Sequence, residues 1–361
     1  MHSRKRSWRL FLLQLTLPFA GIVAGFIVLE LGLRVYFNDG GPGRYYDTAS
    51  AVKSMRWVPH PFTPYAGRPN ATFELKNDDG SREHIVNNSY GFRAHEFPAA
   101  KNPEDYFILC FGGSTTYGYR VDSNANTWPE RLEALLAARY PERNVKVFNL
   151  GVDMATSVFG VVNLALVGVH LQPDLVIHYE GYNEVAALGA GNFRPDHSHF
   201  YRDLDPRDAA AAFQLRVPAW LRSSYLVQVV TGVVDRATGA NDLAVAVRMP
   251  ENRSAEPMRG IEATFANYDT MHALAFGRGA EALFATFQFR DGNEPHYILY
   301  NDRMRAFFAR RGYDYVDQDA LIPDYDPTIN VDVCHFTQKG RDMMAKNFFD
   351  HIVARRLLED R

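Results

Sequence analysis

Ser114 stands where an apolar run, Phe107 to Phe111, meets the turn Gly112-Gly113-Ser114. Thr115 and Thr116 follow, and threonine side chains can accept hydrogen bonds from the unpaired N–H groups that open a helix. A serine on such a strand-to-helix turn is lifted to the carboxyl edge of a sheet, beside backbone donors and a positive helix end. Its hydroxyl becomes a useful nucleophile only when an oriented base removes its proton. The segment Asp332-Val-Cys-His335 offers that pair, with the carboxylate able to hold one imidazole nitrogen while the other faces a serine. An oxyanion needs donors aimed where negative charge develops. Gly151 in Asn149-Leu-Gly-Val and Asn183 in Gly181-Tyr-Asn-Glu184 are candidates, by backbone N–H and by side-chain amide respectively. Taken singly, an Asp-x-x-His or a glycine or asparagine after a strand is ordinary turn chemistry. The ordered set carries more information than its members.

The elements that must position these groups alternate along the chain. Strands are expected at Tyr106–Phe111, Val145–Asn149, Asp174–Tyr179, within Ala280–Phe289 and at Tyr313–Val316. Helices are expected from Thr127 to Tyr140, Ser157 to Leu171, about Ile261 to Ala275, Asn301 to Arg311 and Gln338 to Leu358. The first of these opens on Thr127-Trp-Pro-Glu130, a capping-box pattern with proline in the first turn. Strands alternating with helices of this length imply βαβ units and a parallel sheet. Each candidate group then falls just past a strand or, for Asp332 and His335, before the last helix.

With these residues in that order, the chain resembles the SGNH/GDSL hydrolase superfamily, and specifically its membrane-anchored bacterial members, over approximately Asn88 to Leu358. The resemblance implies a three-layer α/β/α sandwich around a parallel five-stranded sheet of flavodoxin-like type. It assigns the nucleophile to Ser114, the base to His335, its orienting acid to Asp332, and the oxyanion hole to Ser114, Gly151 and Asn183. Two positions depart from the family pattern. Gly112-Gly113-Ser114-Thr115 lacks the aspartate of Gly-Asp-Ser-Leu, and Glu184 stands where an aspartate is common. The implied activity is hydrolysis of an acyl ester, of a glycan or a lipid, with no cofactor and no metal. An O-acyltransferase acting on an extracytoplasmic polysaccharide would use the same residues, and a non-catalytic scaffold would keep the fold without turnover.

Composition sets the outer bounds. The 361 residues are 47% hydrophobic and 22% charged, with a formal net charge of -3, which argues against a nucleic-acid partner held by a broad basic surface. The two cysteines, Cys110 and Cys334, exclude a disulfide framework and a cysteine-based zinc site, and both are expected as buried thiols. Arg4, Lys5, Arg6 and Arg9 form a basic tail (1–9) before an apolar stretch, 10–33, that is long enough to cross a bilayer. The basic side is expected to stay in the cytoplasm, which places the remainder in the periplasm or outside; a cleaved signal peptide is the competing reading. Residues 34–103 are expected to form a linker and a small antiparallel flap, with Asn88 and Arg93 bracing it. Residues 104–361 form the main domain, interrupted by an insertion at about 186–259. That insertion reads as a lid or a core segment and includes an apolar helical stretch from Leu215 to Val234. His197-Ser-His199 is a weak metal motif, and the glycines before Ser114 lack the lysine of a phosphate loop. Oligomeric state leaves no mark in the sequence.

Overall fold

The computed structural model describes residues 2–37, 56–58, 60–77, 80–201, 224–227, 229–230, 233, 258–289, 294–323 and 326–359, with side chains of the first helix described at 16, 18, 20, 21 and 23–36. The chain divides into two compact units, residues 1–54 with 207–246, and residues 55–206 with 247–361.

In the first unit, helix α1 (His2–Phe37) contains the expected 10–33 stretch. Among the described residues no helix is long and apolar enough to cross a membrane. The described part of α1 carries Glu30, whose carboxylate pairs with Arg34 and accepts the Ser224 hydroxyl and the Tyr225 and Leu226 N–H groups. It thus fastens α1 to the start of a helical piece of the expected insertion. Phe26, Ile27, Leu29, Leu31 and Val35 of the same helix are exposed. Most of the apolar stretch 215–234 and the linker 38–55 lie outside the described residues.

The second unit begins with two antiparallel ribbons. β1 (Trp57–Val58) pairs with β2 (Ala66–Gly67), and β3 (Thr72–Lys76) pairs with β4 (Arg82–Val86), which is the expected flap. Then come β5 (Asp105–Gly112), α2 (Ser114–Tyr117), α3 (Trp128–Arg139), β6 (Asn144–Asn149), α4 (Ser157–Leu166), β7 (Leu175–Tyr179), α5 (Tyr182–Leu188) and α6 (Ser198–Tyr201). After the insertion follow α7 (Ile261–Phe276), β8 (Glu281–Ala285), α8 (Pro295–Arg311), β9 (Asp314–Val316), α9 (Gln318–Leu321) and α10 (Gln338–Ala354). Five strands form one parallel sheet in the order β6-β5-β7-β8-β9.

Every residue of β5 and of β7 is buried, so both faces of the sheet are covered. Neighbouring residues of β7 show by what, because successive side chains point to opposite faces. Tyr179 meets Trp128 of α3 and Phe348 of α10, whereas His178 meets Tyr268 of α7 and closes on Gly160 of α4. The helices therefore form two layers with the sheet between them. The strand order reverses at β5, between β6 and β7, and in open α/β sheets that reversal opens a crevice at the carboxyl ends of the strands. Ser114 follows β5 and Asn183 follows β7, on the two sides of that crevice.

Several local expectations change in the folded chain. The Thr127 hydroxyl donates backwards to the Asn124 carbonyl at 2.8 Å, and Glu130 takes His95 at 2.9 Å, so the capping box does not form. Thr127 is engaged by the turn just before it, and Glu130 by the distant His95. The helix from Ser157 stops at Leu166 and continues as a 3-10 turn to Leu171, while the helix expected from Asn301 already begins at Pro295. Arg93 braces the flap as expected. Buried completely, it donates to the carbonyls of His84, Gly118 and Val121 and to the Asn124 side chain.

Candidate active site

The turn that presents Ser114 is a single helical turn. Gly113 precedes it in extended conformation (φ -85°, ψ -151°), and no side chain caps it. The two threonines tie the turn down instead of capping it. Thr115 Oγ1 donates to the Cys334 carbonyl at 2.8 Å, and Thr116 Oγ1 donates to the Tyr179 carbonyl at the end of β7. One hydroxyl thus fastens the serine turn to the loop that carries the histidine, 219 positions away in sequence. Gly113 is glycine for a spatial reason. A Cβ there would lie 2.1 Å from Glu180 Oε2 and 2.6 Å from Asn183 Nδ2. An aspartate at this position has no room.

The histidine loop is built from its own short-range bonds. Asp332 Oδ1 accepts the N–H groups of Cys334 at 3.1 Å and His335 at 2.9 Å, which folds the four residues into a tight turn. Both Asp332 oxygens lie 2.8 Å from His335 Nδ1. The other ring nitrogen, Nε2, lies 2.7 Å from Ser114 Oγ. These contacts fix the tautomer by inference: Nδ1 carries the proton toward the carboxylate, and Nε2 accepts from the serine hydroxyl. Burial raises the Asp332 carboxyl, but the bonds from His335 and from two backbone N–H groups outweigh it and hold the carboxyl well below its ordinary range. Tyr119 covers the imidazole, ring centroids 4.6 Å apart. Thr337 opens α10 directly after the loop, and Arg341 donates back to the Phe336 carbonyl.

Asn183 reaches the same turn from α5. Its Nδ2 donates to the Ala155 carbonyl at 3.1 Å, which leaves the second amide proton for another acceptor, and Nδ2 lies against Gly113. Gly151 also reaches it, since a Cβ there would sit 2.4 Å from the Tyr117 N. Its own N–H, however, donates to Asn149 Oδ1 at 3.0 Å. Asn149 in turn donates to the Thr116 carbonyl at 2.8 Å, bridging the two segments. Glu184 points elsewhere. Its oxygens accept Ser157 N and Oγ at 2.9 and 2.6 Å and Thr264 Oγ1 at 2.7 Å, locking α4 to α5 and α7.

Among the described residues, two groups of donors lie close enough to hold a metal ion, Asp332 with Cys334 and His335, and His95 with Glu130 and Glu133. The first is the hydrogen-bonded Asp332–His335 pair with a thiol that burial pushes up and keeps neutral. In the second, the hydrogen bonds that His95 donates to Glu130 and Glu133 raise it to about 10, so that it stands as an imidazolium in an ion pair. The weak motif at 197–199 does not converge on a ligand. His197 Nδ1 pairs with Thr156 Oγ1, and His199 accepts the Arg194 N–H and donates to the Ala187 carbonyl. Cys110 and Cys334 are buried, free thiols.

Sequence reasoning missed Glu180. It is 2% exposed, follows β7, and accepts the Asn183 N–H on Oε1 at 2.8 Å. Nothing in the pattern before Gly181 distinguishes it from a strand end running into a turn.

The model of the GDSL-like lipase/acylhydrolase family matches residues 110–343. No curated protein sequence matches the chain. Among solved structures, LAE5, an alpha/beta hydrolase enzyme from the metagenome of Lake Arreo, Spain, is similar at 16% identity, over 68% of this chain and 94% of that one, with a TM-score of 0.42. Axe2, an acetylxylan esterase from Geobacillus stearothermophilus, is similar at 14% identity, over 68% and 94%, with a TM-score of 0.41. TesA is similar at 16% identity, over 68% and 97%, with a TM-score of 0.41.

Proposed function

Because the chain belongs to the GDSL-like lipase/acylhydrolase family and is a serine esterase, we propose that Ser114, His335 and Asp332 carry out acyl-ester hydrolysis. Ser114 Oγ attacks the ester carbonyl carbon while His335 Nε2 takes its proton. The tetrahedral intermediate collapses, and the same proton passes to the leaving alcohol. Water, deprotonated by His335, then attacks the acyl-enzyme and releases the acid. Asp332 holds the imidazole tautomer and stabilises the imidazolium. Its depressed pKa supports this role, because an ionised carboxylate must face the ring throughout. The oxyanion is received by the Ser114 N–H, which as the first in α2 has no intrahelical acceptor, and by the free proton of the Asn183 amide. Gly151 joins them only by releasing its bond to Asn149.

The observation that carries this reading is the continuous path Asp332–His335–Ser114, with contacts of 2.8 and 2.7 Å. A fluorophosphonate probe tests it. Labelling that disappears in Ser114→Ala supports the nucleophile, whereas no labelling of folded protein refutes it. The substrate is proposed as an acylated envelope glycan or lipid. Product analysis with acyl donors, with and without glycan, tests the acceptor, and acyl transfer to a glycan hydroxyl without net hydrolysis would make the enzyme an O-acyltransferase. We further propose that the apolar stretch 10–33 anchors the chain, N-terminus in the cytoplasm, so that the esterase works on the periplasmic side. The basic residues before the stretch and the exposed apolar side chains of α1 support this. Release of the protein from membranes by alkaline carbonate would refute it.

A further inference from the structure

Glu180 is a buried carboxyl group placed between two parts of the site that the proposed mechanism uses separately. On one side, Oε1 accepts the Asn183 N–H at 2.8 Å, in the first turn of α5. On the other, Oε2 lies over Gly113, so close that a Cβ on that residue would overlap it at 2.1 Å. The Glu180 main chain is held as well, its carbonyl accepting the Tyr300 hydroxyl of α8 at 3.3 Å. A side chain fixed at both ends sets the distance between Asn183 and Ser114.

We propose that Glu180 is a positioning residue of this site: its carboxyl group ties the Asn183 backbone to the Gly113–Ser114 turn and so aims the Asn183 amide at the oxyanion. The proposal rests on the reading of Asn183 as an oxyanion donor. Its chemistry requires the group to be neutral, because a carboxylate beneath Gly113 would oppose negative charge developing beside Ser114. Burial achieves that, lifting Glu180 to about 8, with Glu184 adding to the rise and the N–H groups of Asn183, Gly181 and Gly113 restraining it. The other titratable groups coupled to it are Tyr179, Tyr201 of α6, Tyr268 of α7, Tyr300 of α8 and the Cys334 thiol. Burial pushes all of these above their ordinary values, so they stay neutral while Glu180 titrates.

The test uses the full chain with p-nitrophenyl acetate from pH 6 to 10, alongside fluorophosphonate labelling. Wild-type kcat should fall on the alkaline side with a midpoint near 8, the value to which burial lifts Glu180. Glu180→Gln keeps an acceptor for the Asn183 N–H and cannot ionise, so it should flatten that limb. Glu180→Ala should lower kcat roughly 10- to 100-fold at neutral pH with KM little changed, as expected when only a transition-state contact is disturbed. Glutamine should recover most of what alanine loses. An alkaline limb in Glu180→Gln identical to that of the wild type, or an undiminished kcat in Glu180→Ala, would overturn the proposal. Should Glu180→Ala fail to fold, the isosteric glutamine variant decides alone through its pH profile. Failure of the underlying reading looks different: a wild type that resists labelling loses Ser114 as nucleophile, and a fully active Asn183→Ala loses the oxyanion donor.

Discussion

Asp332 and Glu180 are two carboxyl groups at one site, and the fold treats them in opposite ways. The Asp332 side chain is 41% exposed, on a loop whose hydrogen bonds close within four residues, and its bonds to N–H donors hold it ionised. Glu180 is 2% exposed at the end of a central strand, and desolvation keeps it protonated up to about pH 8. Solvation and donors differ, so the charge differs, and with it the role. One can stabilise an imidazolium because it is negative. The other can sit beneath an oxyanion because it is not.

The largest test of this contrast removes the proposed nucleophile or base. Ser114→Ala and His335→Ala should each lower kcat/KM on a simple ester by about 10⁴-fold or more, since either change breaks the proton path. Asp332→Asn comes next, with an expected loss of about 10⁴-fold in kcat because the amide favours the wrong tautomer. A wild-type rate in that variant would dissolve the distinction between the two carboxyl groups. Asn183→Ala should cost about 10²- to 10³-fold in kcat with a nearly constant KM, read from initial rates on the same ester.

Stability sharpens the comparison from the other side. The native state keeps a proton on Glu180 that the unfolded chain gives up at its ordinary value of 4.5, so wild-type stability declines as pH rises from there to about 8. Glu180→Gln escapes this decline. Its melting temperature should exceed that of the wild type by an amount that grows between those pH values and then levels off, about 2 °C or less for each kcal/mol relieved. Calorimetry in matched buffers checks the trend, and a difference independent of pH would show that Glu180 is ionised in the native protein. The smallest effect is expected from Thr115→Val, which deletes the bond to the Cys334 carbonyl. A loss of about 1 kcal/mol is expected, with a rate change under about tenfold, measured by denaturant titration and steady-state kinetics.

The histidine loop and the Glu180 corner also differ in how much of them is legible in the chain. Asp332 and His335 are three residues apart, so the turn that joins them is local, and its position before α10 follows from periodicity. Ser114 and Asn183 are visible for the same reason, each just past a strand of Val, Ile, Leu and Phe residues. The five strands are read nearly to their observed ends, but the helix expected from Asn301 begins at Pro295 and the one from Ser157 stops at Leu166. Thr115, Thr116 and Glu130 have residue types that favour helix starts, yet each is claimed by a tertiary partner, while Thr127 turns back to the Asn124 carbonyl three residues earlier. Gly151 is where the pattern puts it, and only the folded chain shows its N–H engaged by Asn149.

By itself, then, the sequence determined the succession of strands and helices along the chain and the residue types brought to the carboxyl edge of the sheet. Apolar periodicity and the spacing of turn residues are local properties, and a parallel sheet places the ends of its strands in few ways. Protonation and hydrogen-bond partnership were decided only by the tertiary structure. They depend on which groups lie within a few ångströms and on how much water is excluded, and for Glu180 both come from residues far apart in the chain: Gly113, Tyr268 and Tyr300.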